Sequence, residues 1–350
     1  MALSVLASVC PFLLMKTKMY SILSVLSVMA MCMTYQAASG IYPMMVLFIF
    51  FMNWNRGEPI RKGIHFVAVS AFAYTTAMII FYVFVMNFTE GYVSGNILPI
   101  EHLIDGCYHN FYQYYANVYH DFKLVWIFLV IVIVIGFLLG VIRDTVCYKW
   151  QAIFGASIVV GISGILVFGA YPLLENPIFA PRAMYGIGIL LTLFMVNSIK
   201  TSYMSKVAGT LLSWGFFVFA LTYGNTLAEQ ARYTDFRVEM VINDLIDLEV
   251  MNTDTEKKVQ LKGDIGKSPI ITNMLEYYPV LNRLVPSTFA SLGGWTEVYF
   301  FEYFGLKNVQ QNKDWESEYV DIVEMELPIL CDMIYHTIKG NSAYILIELK

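Results

Sequence analysis
The chain has 350 residues, of which 58% are hydrophobic and only 14% charged, with a net charge of −5 and a mean hydropathy of +0.60. A soluble domain of this size does not need so apolar a chain, so the composition places the protein in a membrane. The mild acidity and lack of a basic run exclude nucleic acid as a partner, and five scattered cysteines without paired spacing exclude a disulfide framework or a zinc site.

Eight apolar segments follow in chain order: Ala2 to Met15, Met19 to Thr34, Gly40 to Trp54, Ile64 to Met86, Leu124 to Ile142, Ala152 to Leu174, Ala183 to Ile199 and Val207 to Tyr223. They predict a polytopic α-helical membrane region of about eight spans over 1–223. The second and third are short and separated only by "YQAASG", which predicts a tight helical hairpin. The first segment is about 22 Å long as a helix against a hydrocarbon core of about 30 Å. It also lacks the basic flank of a signal peptide. These two features are expected either of a tilted helix in a thinned bilayer or of a chain that is the later part of a longer protein, and the second is favoured.

Lysine and arginine fall on alternate connections. Lys16 and Lys18, then Arg56, Arg61 and Lys62, then Arg143 and Lys149, then Lys200 and Lys206 mark one side, which the positive-inside rule assigns to the cytoplasm. The opposite connections hold one basic residue, Arg182 in "ENPIFAPR", with Lys123 at a helix edge. An even number of crossings then puts the region after residue 223 outside the cytoplasm as well.

The long outer connection carries an amphipathic helix at about 100–120. Leu103, Ile104, Cys107, Phe111, Tyr114, Tyr115 and Val118 share one face, and Glu101, His102, Asp105, His109 and Gln113 the other. His102, Asp105 and His109 have spacing that could hold a metal, but a solvated polar face accounts for them more simply, and no metal is expected. Asn87-Phe88-Thr89 is a glycosylation sequon, of meaning only in a eukaryotic host.

Residues 224–350 read as an extracytoplasmic amphipathic helix followed by a small α/β domain. Leu227, Ala231, Val238, Val241, Ile242, Leu245 and Leu248 form one helical stripe. "KKVQLKG" alternates as a strand, "ITNMLEYYPVLNRL" reads as a helix, and "MIYHTIKGNSAYILIEL" as two strands about a Gly-Asn turn. No nucleophile elbow, phosphate-cradling loop or dinucleotide fingerprint occurs, so a lid or acceptor-docking role is expected of this domain.

An outer amphipathic helix, a Pro-Arg at a helix mouth and an outer domain suit an enzyme acting on a lipid-linked substrate. A polyprenyl phosphate sugar needs a cation for its phosphate, and arginine offers a planar fork of donors. Arg182 is the candidate for that role, and an interfacial anchor or an ion pair with Glu175 is the alternative.

The stretches "MTYQAASGIYPMMVLFIFF", "YGNTLAEQARYTDFRVEMVINDL", "VQLKGDIGKSPIITNMLEYYPVLNRLVP" and "GNSAYILIEL" resemble the GtrII-type glucosyltransferases, membrane enzymes that modify bacterial O-antigen. The resemblance implies a GT-C type fold in the bacterial inner membrane, with the C-terminal domain periplasmic. It also implies transfer of glucose from undecaprenyl phosphate glucose to a lipid-linked O-antigen repeat, in partnership with a separate flippase and a separate enzyme that makes the lipid donor. No further cofactor is implied. GT-C enzymes carry their acidic catalytic residues in a first outer loop, and this chain is expected to begin downstream of it, so no base carries over. Asp105 and Glu101 are the remaining carboxylates that could serve, although solvated charge is their simpler role. Tyr35, Gln36 and Tyr42 around "YQAASG" are candidates to line the sugar site, or equally to anchor the interface. The rival readings are a transport or scaffold protein, and an inactive remnant of the enzyme. Against transport, no span carries an internal charge and no repeat is visible.

Overall fold
The structure, a computed structural model, describes residues 1–85, 96–248, 257–285, 309–311 and 320–350. The sequon at Asn87 lies outside the described residues. The chain divides into two compact units, Met1–Val218 and Phe219–Lys350. The division falls within a helix, whereas the sequence reading divides the chain after Tyr223, at the end of the last apolar run.

Unit 1 is helical. Its elements are α1 (Ala2–Val9), α2 (Tyr20–Thr34), α3 (Ile41–Asn55), α4 (Ile60–Ile80), α5 (Leu103–Asp121), α6 (Leu124–Asp144), α7 (Lys149–Leu166), α8 (Gly186–Ser198) and the first part of α9 (Tyr203–Asp247). Every apolar segment of the sequence holds a helix. Five are long and apolar enough to cross a membrane: Gln36–Asn55, Ile60–Val85, Leu124–Asp144, Lys149–Leu166 and the helix beginning at Tyr203. Three are shorter, Ala2–Leu14, Tyr20–Thr34 and Gly186–Ser198; the first two fall on segments expected to be short, whereas the third segment, also expected to be short, lies in the 20-residue helix Gln36–Asn55. The helix expected to reach Leu174 stops at Leu166, because Gly169 takes a left-handed φ of 59° and Pro172 follows.

The helix faces show why β-branched residues are tolerated here. In α6, Ile133, Phe137 and Val141 are buried, while Phe128, Ile131, Ile135 and Leu139 stay exposed. That is the two-sided apolar surface of a helix packed in a bundle and wetted by lipid, where each backbone group must be satisfied within the helix. Small residues set the close approaches. A Cβ on Gly136 would lie 1.8 Å from Ser205 Oγ, and one on Gly140 would lie 2.8 Å from Thr201 Oγ1.

Helix α5 packs against the loop after α7 with most of the expected face inward, rotated so that Asn110 joins it and Ile104 does not. Asn110 and Tyr114 are buried, with Phe111 and Val118 packed beside them, but Ile104 is 84% exposed along with Tyr108, Tyr112 and Tyr119. Polar groups decide the rotation. Asn110 Nδ2 donates to the carbonyls of Pro172 and Leu174, both at 3.0 Å, Tyr114 donates to Ile178 O at 3.0 Å, and Tyr115 to Gly164 O at 2.7 Å. Carbonyls that would otherwise be buried unpaired are met by side chains a purely apolar count ignores.

Unit 2 contains the second part of α9, β1 (Lys257–Lys262), α10 (Pro269–Leu275), α11 (Leu281–Leu284), β2 (Val309–Gln311), β3 (Ile329–Asp332), β4 (His336–Gly340) and β5 (Tyr344–Leu349). The sheet order is β2-β1-β5-β4-β3. Strand β1 runs parallel to β2 and β5, and β4 is antiparallel to β5 and β3. Val238, Val241, Ile242 and Leu245 of α9 pack on Val259, Leu261, Ile338, Ile345 and Ile347, which accounts for the helical stripe seen in the sequence. The single helix expected across 271–284 is two. Ser268 caps the first, accepting from Ile271 N at 3.3 Å, and Pro279 interrupts the run before Leu281. Strand β3 was not expected, because its exposed residues follow no alternation.

Candidate functional site
The loops of unit 1 gather at two ends. At one end Val146 N donates to Asn55 O at 3.0 Å and Arg143 Nη1 to Lys200 O at 3.3 Å, which brings together the turns rich in lysine and arginine. At the other end meet the α2–α3 turn, the segment from Val167 to Tyr185, and α5.

Backbone packing builds this second end. After α2, Tyr35 turns to an extended conformation and Gln36–Ala38 make one tight turn, with Ala37, Ala38, Ser39 and Gly40 buried. A Cβ on Gly40 would lie 1.7 Å from Leu166 O, and one on Gly186 would lie 2.1 Å from Val167 O. Only glycine lets the starts of α3 and α8 press onto the end of α7. Ser39 completes the joint: its Oγ accepts from Ala170 N at 3.2 Å, and its carbonyl accepts from Tyr74 at 3.0 Å.

This joint brings four residues from distant parts of the chain together. Tyr35 and Tyr185 stack with ring centres 5.8 Å apart. The Tyr35 hydroxyl donates to Arg182 O at 3.2 Å, and the Tyr185 hydroxyl shares a hydrogen bond with Ser4 Oγ at 3.2 Å. Arg182 occupies the single turn Pro181–Ala183, where Ala183 is buried and the arginine is exposed. Burial pushes the phenols of Tyr35 and Tyr171 up, Tyr171 to about 12, and the Arg182 charge acts on both in the opposite sense. Tyr171 therefore belongs to the same electrostatic group. Among the described residues Arg182 forms no ion pair, and Glu175, which is exposed, does not reach it.

The sequence candidates distribute unevenly around this cluster. Arg182 and Tyr35 are in contact, and Gln36 is exposed beside Tyr35. Tyr42 is set apart. It is 1% exposed, its hydroxyl is 3.1 Å from that of Tyr20, and its ring lies against Phe12 and Tyr74, so it is a core residue in the first turn of α3 and not part of the exposed turn. Glu101 and Asp105 are exposed near the start of α5 and form no hydrogen bond or ion pair among the described residues. No group of three His, Cys, Asp or Glu side chains among the described residues gathers to hold a metal ion. Tyr171 and Tyr185 were missed. Their signal was positional: each lies at a helix boundary next to proline or glycine, on the connection that also holds Arg182.

A set of apolar helices, five of them long and apolar enough to cross a membrane, defines a membrane-embedded protein. The chain matches the family described as glucosyl transferase GtrII over residues 1–193, more than half its length, and belongs to that family. Membership makes it a glycosyltransferase, and the matched region contains Tyr35, Gln36, Tyr171, Arg182 and Tyr185. No curated protein matches the chain. No solved structure matches it either.

Proposed function
We propose that unit 1 moves a glucosyl group from undecaprenyl phosphate glucose to a lipid-linked O-antigen repeat at the periplasmic face of the bacterial inner membrane. The observation that carries this reading is the exposed Arg182, without a carboxylate partner among the described residues and bordered by Tyr35, Tyr171 and Tyr185. In the transfer the acceptor hydroxyl oxygen attacks the anomeric carbon, the bond from that carbon to the phosphate oxygen breaks, and the phosphate leaves with the added negative charge. A fixed guanidinium stabilises that charge, and the half-buried tyrosine rings suit the sugar.

The acceptor proton needs a carboxylate. Asp105 and Glu101 are the residues this reading offers, since they start the helix that packs on the loop leading to Arg182. Placement at the periplasmic face is supported by the basic residues, which collect at the other end of unit 1. An even number of crossings gives unit 2 the same compartment, where it acts as a lid or acceptor-docking domain. The enzyme then works beside a flippase and a cytoplasmic enzyme that makes the donor.

The deciding experiment compares Arg182→Ala with Arg182→Lys in membranes supplied with donor. A charge-assisted bidentate contact contributes on the order of 1.5 to 3 kcal/mol, so the alanine variant loses roughly tenfold to a hundredfold in donor affinity, and lysine restores part of it. Unchanged affinity in a well-inserted alanine variant would make Arg182 an interfacial anchor and remove the donor site from this end.

A further inference from the structure
A cavity of about 270 Å³ opens at the basic end of unit 1, between the α1–α2 turn and the first turns of α4. Its interior and its mouth differ in chemistry. Phe66 and Val69 give an apolar wall, and Tyr20 closes the inside. Tyr20 is 5% exposed, with its hydroxyl 2.7 Å from Ser70 Oγ and 3.1 Å from the Tyr42 hydroxyl, and its ring stacked on Phe66 at 5.6 Å. It is a fixed surface whose polar group is already engaged.

Lys18, Lys62 and His65 stand at the mouth, all exposed. Neither lysine forms an ion pair among the described residues. Lys62 lies in the first turn of α4, which carries no acidic residue and no side-chain cap. A cation there is disfavoured by the helix dipole, and a bound anion reverses that sign. Two turns after His65 on the same helix, Phe72 is 75% exposed, so an apolar track continues from the cavity along α4. A basic mouth joined to an apolar wall and track fits an anion that carries a hydrocarbon, and a small hydrated anion would leave the wall unused.

We propose that this cavity binds a phosphate ester carried on a lipid, with Lys18 and Lys62 holding the phosphate and Phe66 and Val69 covering the first carbons beyond it. The site is independent of the Arg182 reading and lies at the opposite end of the unit.

The test uses the full chain in phosphatidylcholine nanodiscs titrated with phosphatidylglycerol, with retained lipid read by native mass spectrometry. Phosphatidylglycerol is retained at least about tenfold more tightly than phosphatidylcholine. The double variant Lys18→Ala/Lys62→Ala loses about thirtyfold in that affinity. The control Lys149→Ala/Lys200→Ala removes the same charge from the same end, away from the cavity, and stays within about threefold. Ser21→Phe narrows the cavity without changing charge and also lowers retention, which keeps the test valid if the lysine pair lowers expression. Equal losses in the two double variants would overturn the site in favour of a diffuse basic rim. Equal retention of the two lipids would overturn it, and so would displacement of the lipid by an equal concentration of inorganic phosphate, which would make the ligand the free anion.

Discussion

Arg182 in unit 1 and Arg237 in unit 2 carry the same side chain in opposite circumstances. Arg237 is 3% exposed, and its guanidinium donates to Tyr233 Oη at 2.8 Å and to the carbonyls of Ile265, Tyr335 and Lys350 at 3.3, 2.9 and 2.8 Å. It also lies 4.6 Å from the centre of the Tyr335 ring. Its donors are engaged by the fold. Arg182 is exposed, has tyrosines around it and has no carboxylate among the described residues. The contrast separates two uses of a fixed fork of donors: a saturated one ties loops together, and an open one is available to a ligand.

The largest effect that can break this contrast is at Arg237. Arg237→Ala leaves several buried carbonyls without donors and should destabilise unit 2 by about 3 kcal/mol or more. Hydrogen exchange should show β1, β4 and β5 losing protection while α2, α3 and α6 keep theirs. If both units keep their protection, the buried arginine is not the tie described. Arg182→Ala should do the reverse, shifting thermal stability by less than about 0.5 kcal/mol while donor affinity falls as given above. A variant that unfolds would mean the two arginines play one role.

A smaller effect is expected from Tyr35→Phe, which removes the hydroxyl that donates to the Arg182 carbonyl. Worth about 1 kcal/mol, that bond steadies the arginine turn, so donor affinity should fall about fivefold with membrane level unchanged. An affinity equal to that of the parent would show that the turn needs no such support.

The smallest effect is a pH dependence. Hydrogen bonding to Lys339 holds the Glu348 carboxyl below its usual range, with Lys262 adding to the effect, and Asp332 is held down by Lys350 and Thr337. A carboxyl depressed by folding binds protons more readily when unfolded. Its contribution is therefore complete above the ordinary carboxylate range and is lost as pH falls through the folded value. For the half-exposed Glu348 network this is at most about 1 kcal/mol. Melting of unit 2 should drop on acidification below about pH 4.5, less in Glu348→Gln. Tyr171 behaves oppositely. Its neutral form is favoured by burial, so its contribution is complete below the ordinary phenol value and is lost only as pH rises through about 12. Donor binding should then be flat from neutral pH to about pH 9, and an alkaline loss below that would implicate another group.

Much of the fold was legible because lipid imposes a simple rule. Apolar runs must be helices, and all eight are, but run length did not reveal where Gly169 ends α7 or that the helix Gly186–Ser198 is short. Helix α5 shows the limit of periodicity, which found Phe111, Tyr114 and Val118 on its inward face but not Asn110, drawn there by carbonyls some sixty residues away. In unit 2 the Gly-Asn hairpin was readable from turn chemistry, and β3 was not, because an edge strand with exposed residues has no pattern to read. At the candidate site a charge count along the loops sufficed to single out Arg182. Tyr171 and Tyr185 needed the close contacts of Gly40 and Gly186 with α7, and no sequence spacing encodes those.

The strand order of unit 2 bears on how the protein is made. Strand β5, the latest of the five in sequence, is an inner strand whose Ile347 pairs beside Leu261 of β1 and also with Ile338 of β4. During synthesis β1 emerges long before the partner that covers its edge, so the sheet forms by slow, non-local closure. Until β5 arrives, that edge of β1 leaves a row of backbone N–H and C=O groups unpaired. A ribosome stalled before residue 344 would thus hold a finished membrane helix and an unfinished sheet, the stage at which this chain is most open to proteases and chaperones.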